Sequence, residues 1–150
     1  MDTPFLLGID PGSETGLAGY VPDEGLVFVE SAGPLDTLRR LTAWARSGLL
    51  LGAYVEDAPG LPIYARNRHA NRGERDRIAR SVVTVDGLTT LYLDALAGLD
   101  VPTVPVEPIR AAKWDAAQLR RVTGYDRRTN EHGRDAARHV YGRPRLTAQR

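Results

Sequence analysis

Acidic side chains recur at three separated places in this chain, and at one of them a histidine accompanies the acid. These residue types could do chemistry on phosphate. Asp10 ends one short apolar run, and the pair Glu56 and Asp57 ends another. Late in the chain, His132 and Asp135 are three residues apart, so they would share one face of a helix. Each carboxylate alone is more often a turn or cap residue. Their joint placement favours a single site that meets a metal ion or a phosphate.

Carboxylate oxygen and imidazole nitrogen are donors that hard divalent cations accept. The chain has no cysteine, which excludes disulfides, thiolate metal sites and cysteine nucleophiles. The donor set therefore suits Mg²⁺ or Mn²⁺ better than structural zinc. Two such ions about 4 Å apart can activate a water and stabilise a leaving oxygen on phosphate. We therefore expect Mg²⁺ or Mn²⁺ as the cofactor, with two ions per site.

The elements that must position these residues follow from apolar periodicity and turn residues. Strands are predicted at 5–9, 16–21, 25–30, 49–57 and 101–106, and helices at 34–47, 78–96, 109–122 and 131–141. Short links between the first three strands indicate an antiparallel meander, and a strand that follows a helix adds in parallel. Pro102 and Pro105 place the last strand near an edge of the sheet.

The resulting order, β-β-β-α-β-α-β-α-α, is that of the RNase H-like fold. We expect an α/β protein in which a five-stranded mixed sheet, a three-strand antiparallel meander plus parallel strands, is flanked by helices. Because no linker or internal repeat interrupts the pattern, residues 1–150 are expected to form a single domain. A frayed basic tail is expected over about 143–150.

The helix that begins at Ile78 has an apolar surface that is wide for a single packing face. Tyr92 and Leu96 belong to its stripe, and three leucines between 88 and 93 broaden it. One side could face the core of the domain and another a subunit interface that includes Tyr92 and Leu96. The alternative is a helix buried deep within a single domain.

Three segments resemble RuvC-type Holliday junction resolvases. The sequence LGIDPGSETG at 7–16 is similar to their opening motif. The sequence NEHGRDA at 130–136 is similar to their terminal helix, in which an acidic residue or a histidine lies three positions before the last aspartate. Glu56 matches the glutamate at the end of an intervening strand, and Lys113 lies in a segment that resembles one carrying a DNA-contacting lysine. The resemblance spans about residues 5–142.

The resemblance implies a single RNase H-like nuclease domain that cuts four-way (Holliday) or branched DNA junctions as a metal-dependent homodimer. It implies that one set of residues is both catalytic and metal-binding: Asp10, Glu56, His132 and Asp135. The alternative for the last helix is that His132 caps its start and Glu131 is the ligand. The short chain and the unusually Arg-rich segment after Glu56 indicate a divergent or phage-type member of the family.

Arginine supplies nearly all of the positive charge. The chain has 20 Lys and Arg residues against 19 Asp and Glu, and Lys113 is its one lysine. Arginine binds phosphate in a bidentate way, and cationic contacts with phosphates release counterions. Together with Lys113, the predicted DNA-binding residues are Arg66, Arg68, Arg72 and Arg75. The alternative for this Arg-rich segment is a solvated helix face that nearby acidic residues partly neutralise.

Three other functions remain open on the sequence. A YqgF-like branch of the same fold would cut structured RNA, and a non-catalytic module would only bind nucleic acid, although clustered carboxylates would hinder phosphate binding. An actin-like ATPase also begins with a Gly-x-Asp-x-Gly loop, but it needs two such lobes, and the chain has no GxxxxGK[ST] motif. A cleavage assay on junction DNA and on structured RNA separates these possibilities.

No apolar run approaches the length of a membrane span. The first residues carry no basic or apolar targeting segment. We therefore expect a cytoplasmic protein with no membrane partner.

Overall fold

Five strands form a mixed sheet in the computed structural model of the chain, which describes residues 3–58 and 72–147, with side chains at 3–58 and 85–147. The strands are β1 (Phe5–Asp10), β2 (Thr15–Val21), β3 (Gly25–Ala32), β4 (Leu50–Glu56) and β5 (Thr103–Val106). Their order is β3-β2-β1-β4-β5. The β1, β2 and β3 strands pair antiparallel, β4 pairs parallel to β1, and β5 pairs parallel to β4. The predicted meander and the edge position of the last strand are both confirmed.

The centre of the sheet is buried on both faces, which explains why β1 is a continuous apolar run rather than an alternating one. Phe5, Leu7 and Ile9 belong to one hydrophobic cluster, whereas Leu6 belongs to a second cluster on the other face. Asp10, the last residue of the strand, is therefore carried to the sheet edge by a rigid, fully packed segment.

Within the described residues, four helices cover the two faces: α1 (Pro34–Arg46), α2 (Arg72–Gly98), α3 (Ala116–Thr123) and α4 (Glu131–Val140). The first cluster includes buried Leu41 of α1 and Leu96 of α2. The second includes Leu119 of α3 and Val140 of α4. This arrangement confirms the RNase H-like α/β architecture expected from the order of elements. Within the described ranges, none of the helices has the length and hydrophobicity that a membrane crossing requires.

Two predicted helix starts are wrong. The α2 helix begins at Arg72 rather than Ile78, because the Glu and Arg residues that precede Ile78 are good helix formers but contribute nothing to an apolar pattern. The α3 helix begins at Ala116 rather than Ile109. Asp115 is its N-cap, and the Asp115 side chain accepts a hydrogen bond of 2.7 Å from the backbone N–H of Gln118.

Other predicted helix ends are confirmed. The α3 helix stops at Gly124, which adopts a φ of 76° that glycine tolerates without steric cost. Asn130 caps α4 by accepting a 2.9 Å hydrogen bond from the backbone N–H of Gly133.

The expectation of a frayed tail is wrong for residues 143–147. The hydroxyl of Tyr54 donates a 2.8 Å hydrogen bond to the carbonyl oxygen of Pro144. Leu146 packs against the second cluster, and the guanidinium of Arg143 lies over the Tyr54 ring. These contacts tie the first half of the tail to β4.

The predicted interface role of Tyr92 and Leu96 is also wrong, because both side chains are fully buried in the core of the chain. The Tyr92 hydroxyl lies 2.7 Å from the Thr15 hydroxyl at the start of β2. Leu91 of the same helix is 44% exposed, so the outward face of α2 carries a different leucine.

We predict that Leu96→Ala lowers the free energy of unfolding by about 2–5 kcal/mol, since it removes buried methyl groups and leaves a cavity. Leu91→Ala on the exposed face should change it by no more than about 0.5 kcal/mol. Urea unfolding of both variants measures the difference. Equal effects of the two substitutions would contradict the packing of α2 described above.

Candidate active site

A cavity of about 600 Å³ opens where the ends of β1 and β4 meet α4. Because β1 and β4 are parallel neighbours, their carboxyl ends lie at the same edge of the sheet. The five predicted site residues within the described side chains all line this cavity: Asp10, Glu56, Lys113, His132 and Asp135. The cavity is also lined by Arg138 and His139, which the sequence reasoning missed.

Close contact between backbones places α4 over this edge. A Cβ at Gly16 of β2 would lie 1.9 Å from the carbonyl oxygen of His132, and a Cβ at Gly8 of β1 would lie 2.2 Å from that of Ala136. On the helix side, a Cβ at Gly133 would lie 2.8 Å from the carbonyl oxygen of Glu30. Glycine at these positions lets the helix approach the sheet until His132 and Asp135 reach the strand ends.

A polar network fixes the first turn of α4. The Asn130 side chain, which caps the helix, donates hydrogen bonds to Ser31 at 2.5 Å and to Glu14 at 3.3 Å. The Ser31 hydroxyl donates to the Glu14 carboxylate. One asparagine therefore joins the start of α4 to β3 and to the turn that follows Asp10.

Asp10 carries the clearest electrostatic signature in the site. Its side chain is only 16% exposed, and its pKa is raised from 3.8 to about 6. Burial is the largest cause, and repulsion by the carboxylates of Glu56 and Asp135 adds to it. Two histidines, His132, whose Nδ1 lies 3.7 Å from an Asp10 oxygen, and His139, lower this pKa when their rings are protonated.

Two basic side chains from outside the strands contact Asp135. The Lys113 amine lies 2.8 Å from one Asp135 oxygen, and a nitrogen of Arg138 lies 3.9 Å from the other. Lys113 also contacts Glu131 at 2.5 Å. Hydrogen bonds to Asp135 and Glu131 raise the pKa of Lys113, and the bond from Lys113 lowers the pKa of Glu131. The lysine predicted to contact DNA thus lies against the carboxylates.

The donor set fits a hard divalent cation in kind. It consists of mutually repelling carboxylates and an imidazole, and a cation would offset the burial and the carboxylate repulsion that raise the pKa of Asp10. As the side chains stand at 3–58 and 85–147, no three of the His, Asp and Glu residues are gathered closely enough to hold an ion. Lys113 on Asp135 and His139 on Glu56 engage two of the carboxylates instead.

His139 and Arg138 were missed because the family motif ends before them. The sequence did carry a helical pattern that includes His139, because this residue lies four positions after Asp135 and seven after His132 and so shares one face of α4 with them.

The predicted DNA-binding arginines fall outside the residues whose side chains are described. Arg66 and Arg68 lie outside the described residues, and Arg72 and Arg75 belong to the first turn of α2, where only the backbone is described.

Of the comparisons with known proteins, the one with solved structures identifies the fold. No protein-family model matches the chain, and a search of curated proteins gives no match. Solved structures do match. One is *Thermus thermophilus* RuvC in complex with a Holliday junction substrate, with a TM-score of 0.56 and 20% identity over 91% of this chain and 90% of that chain. Another, of *T. thermophilus* RuvC, has a TM-score of 0.55 and 20% identity over 90% of each chain. The chain therefore has the fold of RuvC.

We predict that Gly16→Ala destabilises the protein strongly, since the added Cβ would force α4 away from β2. The matched control is Gly87→Ala in α2, where a Cβ meets nothing within 4 Å. The control should be more stable than the wild type by up to about 1 kcal/mol, because alanine is the better helix former. Thermal unfolding of both variants measures these effects, and a neutral Gly16→Ala would contradict the proposed close packing.

We predict that Asp10→Asn stabilises the metal-free protein at pH 7 by about 1–3 kcal/mol. A raised pKa means that the folded state binds the Asp10 proton more tightly than the unfolded state does. The cost of the charged form is therefore fully present above pH 6, shrinks as the pH falls, and is gone below 3.8.

Urea unfolding with chelator, at pH 7 and at pH 3.5, measures this difference. The gain from Asp10→Asn should vanish at the lower pH. Asp23→Asn is the control, because Asp23 is exposed in the turn at the other end of β2. An Asp10→Asn variant that is less stable than the wild type at pH 7 would refute the electrostatic account.

Proposed function

We propose that this chain is a metal-dependent, structure-selective endodeoxyribonuclease that hydrolyses phosphodiester bonds in four-way (Holliday) or branched DNA. The observation that carries the proposal is the convergence of Asp10, Glu56, His132 and Asp135 on one cavity. The same residues correspond to the RuvC motifs in the sequence, and the fold is that of RuvC. Neither a structural helix contact nor phosphate binding alone accounts for three carboxylates in one cavity.

Asp10, Glu56 and Asp135 would hold Mg²⁺ or Mn²⁺ through carboxylate oxygens. The chemistry that two such ions supply when bound is activation of a water and stabilisation of the leaving oxygen. His132 places its imidazole 3.7 Å from Asp10, and the neutral form of that ring can serve as a ligand or accept a proton from the attacking water. Packing of α4 on β1 and β2 keeps these groups in register.

The substrate proposal rests on charge and on the structural neighbour. The RuvC of *T. thermophilus* is described in complex with a Holliday junction substrate. In the present chain, Arg66, Arg68, Arg72 and Arg75 follow the glutamate of β4 in sequence and would neutralise the DNA backbone near the site. Lys113, 61% exposed at the cavity, would add a further phosphate contact.

We propose a homodimer as the active form, because a four-way junction offers two equivalent strands to a two-fold symmetric enzyme. Tyr92 and Leu96 cannot form its interface, since the core of the chain already buries them. The outward face of α2, which exposes Leu91, is the remaining candidate on that helix.

We predict that the wild type cleaves a synthetic four-way junction with Mg²⁺ or Mn²⁺ and that Asp10→Asn or Asp135→Asn abolishes cleavage. Junction binding by either variant should be retained or strengthened, because a negative charge near phosphate is lost. Gel assays of cleavage and of binding without metal measure both effects. Asp23→Asn, remote from the cavity, is the control and should cut like the wild type.

Structured RNA is the second substrate in this test. Cleavage of RNA but not of junction DNA would transfer the proposal to a YqgF-like nuclease. Binding of either nucleic acid without cleavage in Mg²⁺ or Mn²⁺ would favour a non-catalytic module. Near-normal cutting by Asp10→Asn would overturn the proposed metal-dependent mechanism.

A further inference from the structure

His139 makes the shortest contact with any candidate ligand in the cavity. Its Nε2 lies 2.6 Å from Oε2 of Glu56, and its side chain is only 2% exposed. Glu56 is 23% exposed and ends β4, so the contact joins the rim of the cavity to the buried face of α4. We infer that His139 is a positioning residue that orients Glu56 for cation binding. This inference rests on the proposed function.

The surroundings of His139 indicate which ring nitrogen carries the proton. Its Nδ1 is buried and has no hydrogen-bond partner among the described residues. A proton on Nδ1 would leave a buried donor unsatisfied, which is costly, whereas an unprotonated nitrogen is only an unused acceptor. Nε2 is therefore assigned as the nitrogen that carries a proton, and its N–H donates to Glu56.

The contact has a direct consequence for Glu56. One carboxylate oxygen accepts from His139, and the other remains available to the cavity that Glu56 lines. A carboxylate held in this way loses less rotational freedom when it binds a cation. Partners of this kind orient metal ligands in other proteins, and their loss typically weakens metal affinity 10- to 100-fold.

The position of His139 on α4 links two ligands. Asp135 lies four residues earlier on the same helix and contributes its own carboxylate. A single rigid helix thereby sets the place of Asp135 and the orientation of Glu56, which belongs to another element. Any tilt of α4 would disturb both carboxylates together.

The competing explanation is that His139 is a buried residue whose hydrogen bond to Glu56 serves packing alone. Three variants distinguish the two. His139→Leu keeps the bulk and removes the donor, and His139→Gln keeps an N–H donor on a chain of similar reach. Val140→Ala trims the next residue, which is fully buried and does not line the cavity, and so controls for loss of packing.

Calorimetric titration with Mn²⁺ alone, without DNA, gives the decisive measurement. We expect His139→Leu to bind Mn²⁺ about 10- to 100-fold more weakly than the wild type. His139→Gln should recover most of that loss, and Val140→Ala should bind like the wild type although it is less stable. Two-bond ¹H–¹⁵N spectra of the wild-type imidazole should show a protonated Nε2.

Each outcome bears on a stated claim. If the wild type binds Mn²⁺ and His139→Leu binds it equally well, the inference fails while the proposed function stands. Equal losses in His139→Leu and Val140→Ala would reduce His139 to a packing role and overturn the inference too. An Nε2 without a proton in the spectra could not donate to Glu56, and this result would overturn the inference. A wild type that binds no Mn²⁺ overturns the proposed function, and the inference falls with it.

Discussion

The close approach of α4 to the first hairpin is the constraint on which the site depends. Side chains separate a helix from a sheet in most packed layers, but here the backbone of α4 rests on Gly8 and Gly16. The distance across this contact is therefore set by backbone atoms, which cannot change rotamer. This contact fixes the position of Asp135 relative to Asp10. The hydrogen bonds of Asn130 hold the start of α4 in its orientation.

The close packing of α4 on the sheet brings carboxylates together, and neighbouring groups offset only part of their mutual repulsion. Burial and two neighbouring carboxylates raise the pKa of Asp10 to about 6, which means that its charged form is unfavourable in the folded chain. Lys113 and Arg138 offset the charge of Asp135, and His139 satisfies one oxygen of Glu56. Residual strain of this kind is typical of functional sites, because selection for stability alone would replace the carboxylates.

The sequence predicted the architecture because its signals are local and repeated. Apolar runs, turn residues and the Asn130 cap determine the elements, and parallel pairing of β1 with β4 follows from the helix between them. The start of α2 was missed because no apolar stripe covers 72–77, and the start of α3 because Asp115 caps it well after the predicted start at 109. A sequence pattern also could not tell that Tyr92 is a core residue.

Only those residues of the candidate site that belong to sequence motifs could be predicted. Asp10, Glu56 and the residues of 132–135 could be found, because each ends a strand or shares a helical face. His139 could not be assigned, since a histidine near the end of a helix has many uses, and its partner is 83 residues away in the chain. Contacts between residues so far apart in the sequence have no local sequence signature. A side chain that orients Glu56 can therefore be recognised only in the three-dimensional structure.

The compensating groups in the cavity differ in how readily they can move. The His139 side chain is 2% exposed and lies on a packed helix, so its bond to Glu56 is a fixed part of the fold. Lys113 is 61% exposed in the segment between β5 and α3, and exposed ion pairs contribute little to stability. Asp135 is just 12% exposed, so the amine can leave it at small cost only when a cation takes its place beside the carboxylate. The contact of Lys113 with the carboxylates and its predicted contact with DNA are therefore compatible, because they are alternative partners of one mobile charge.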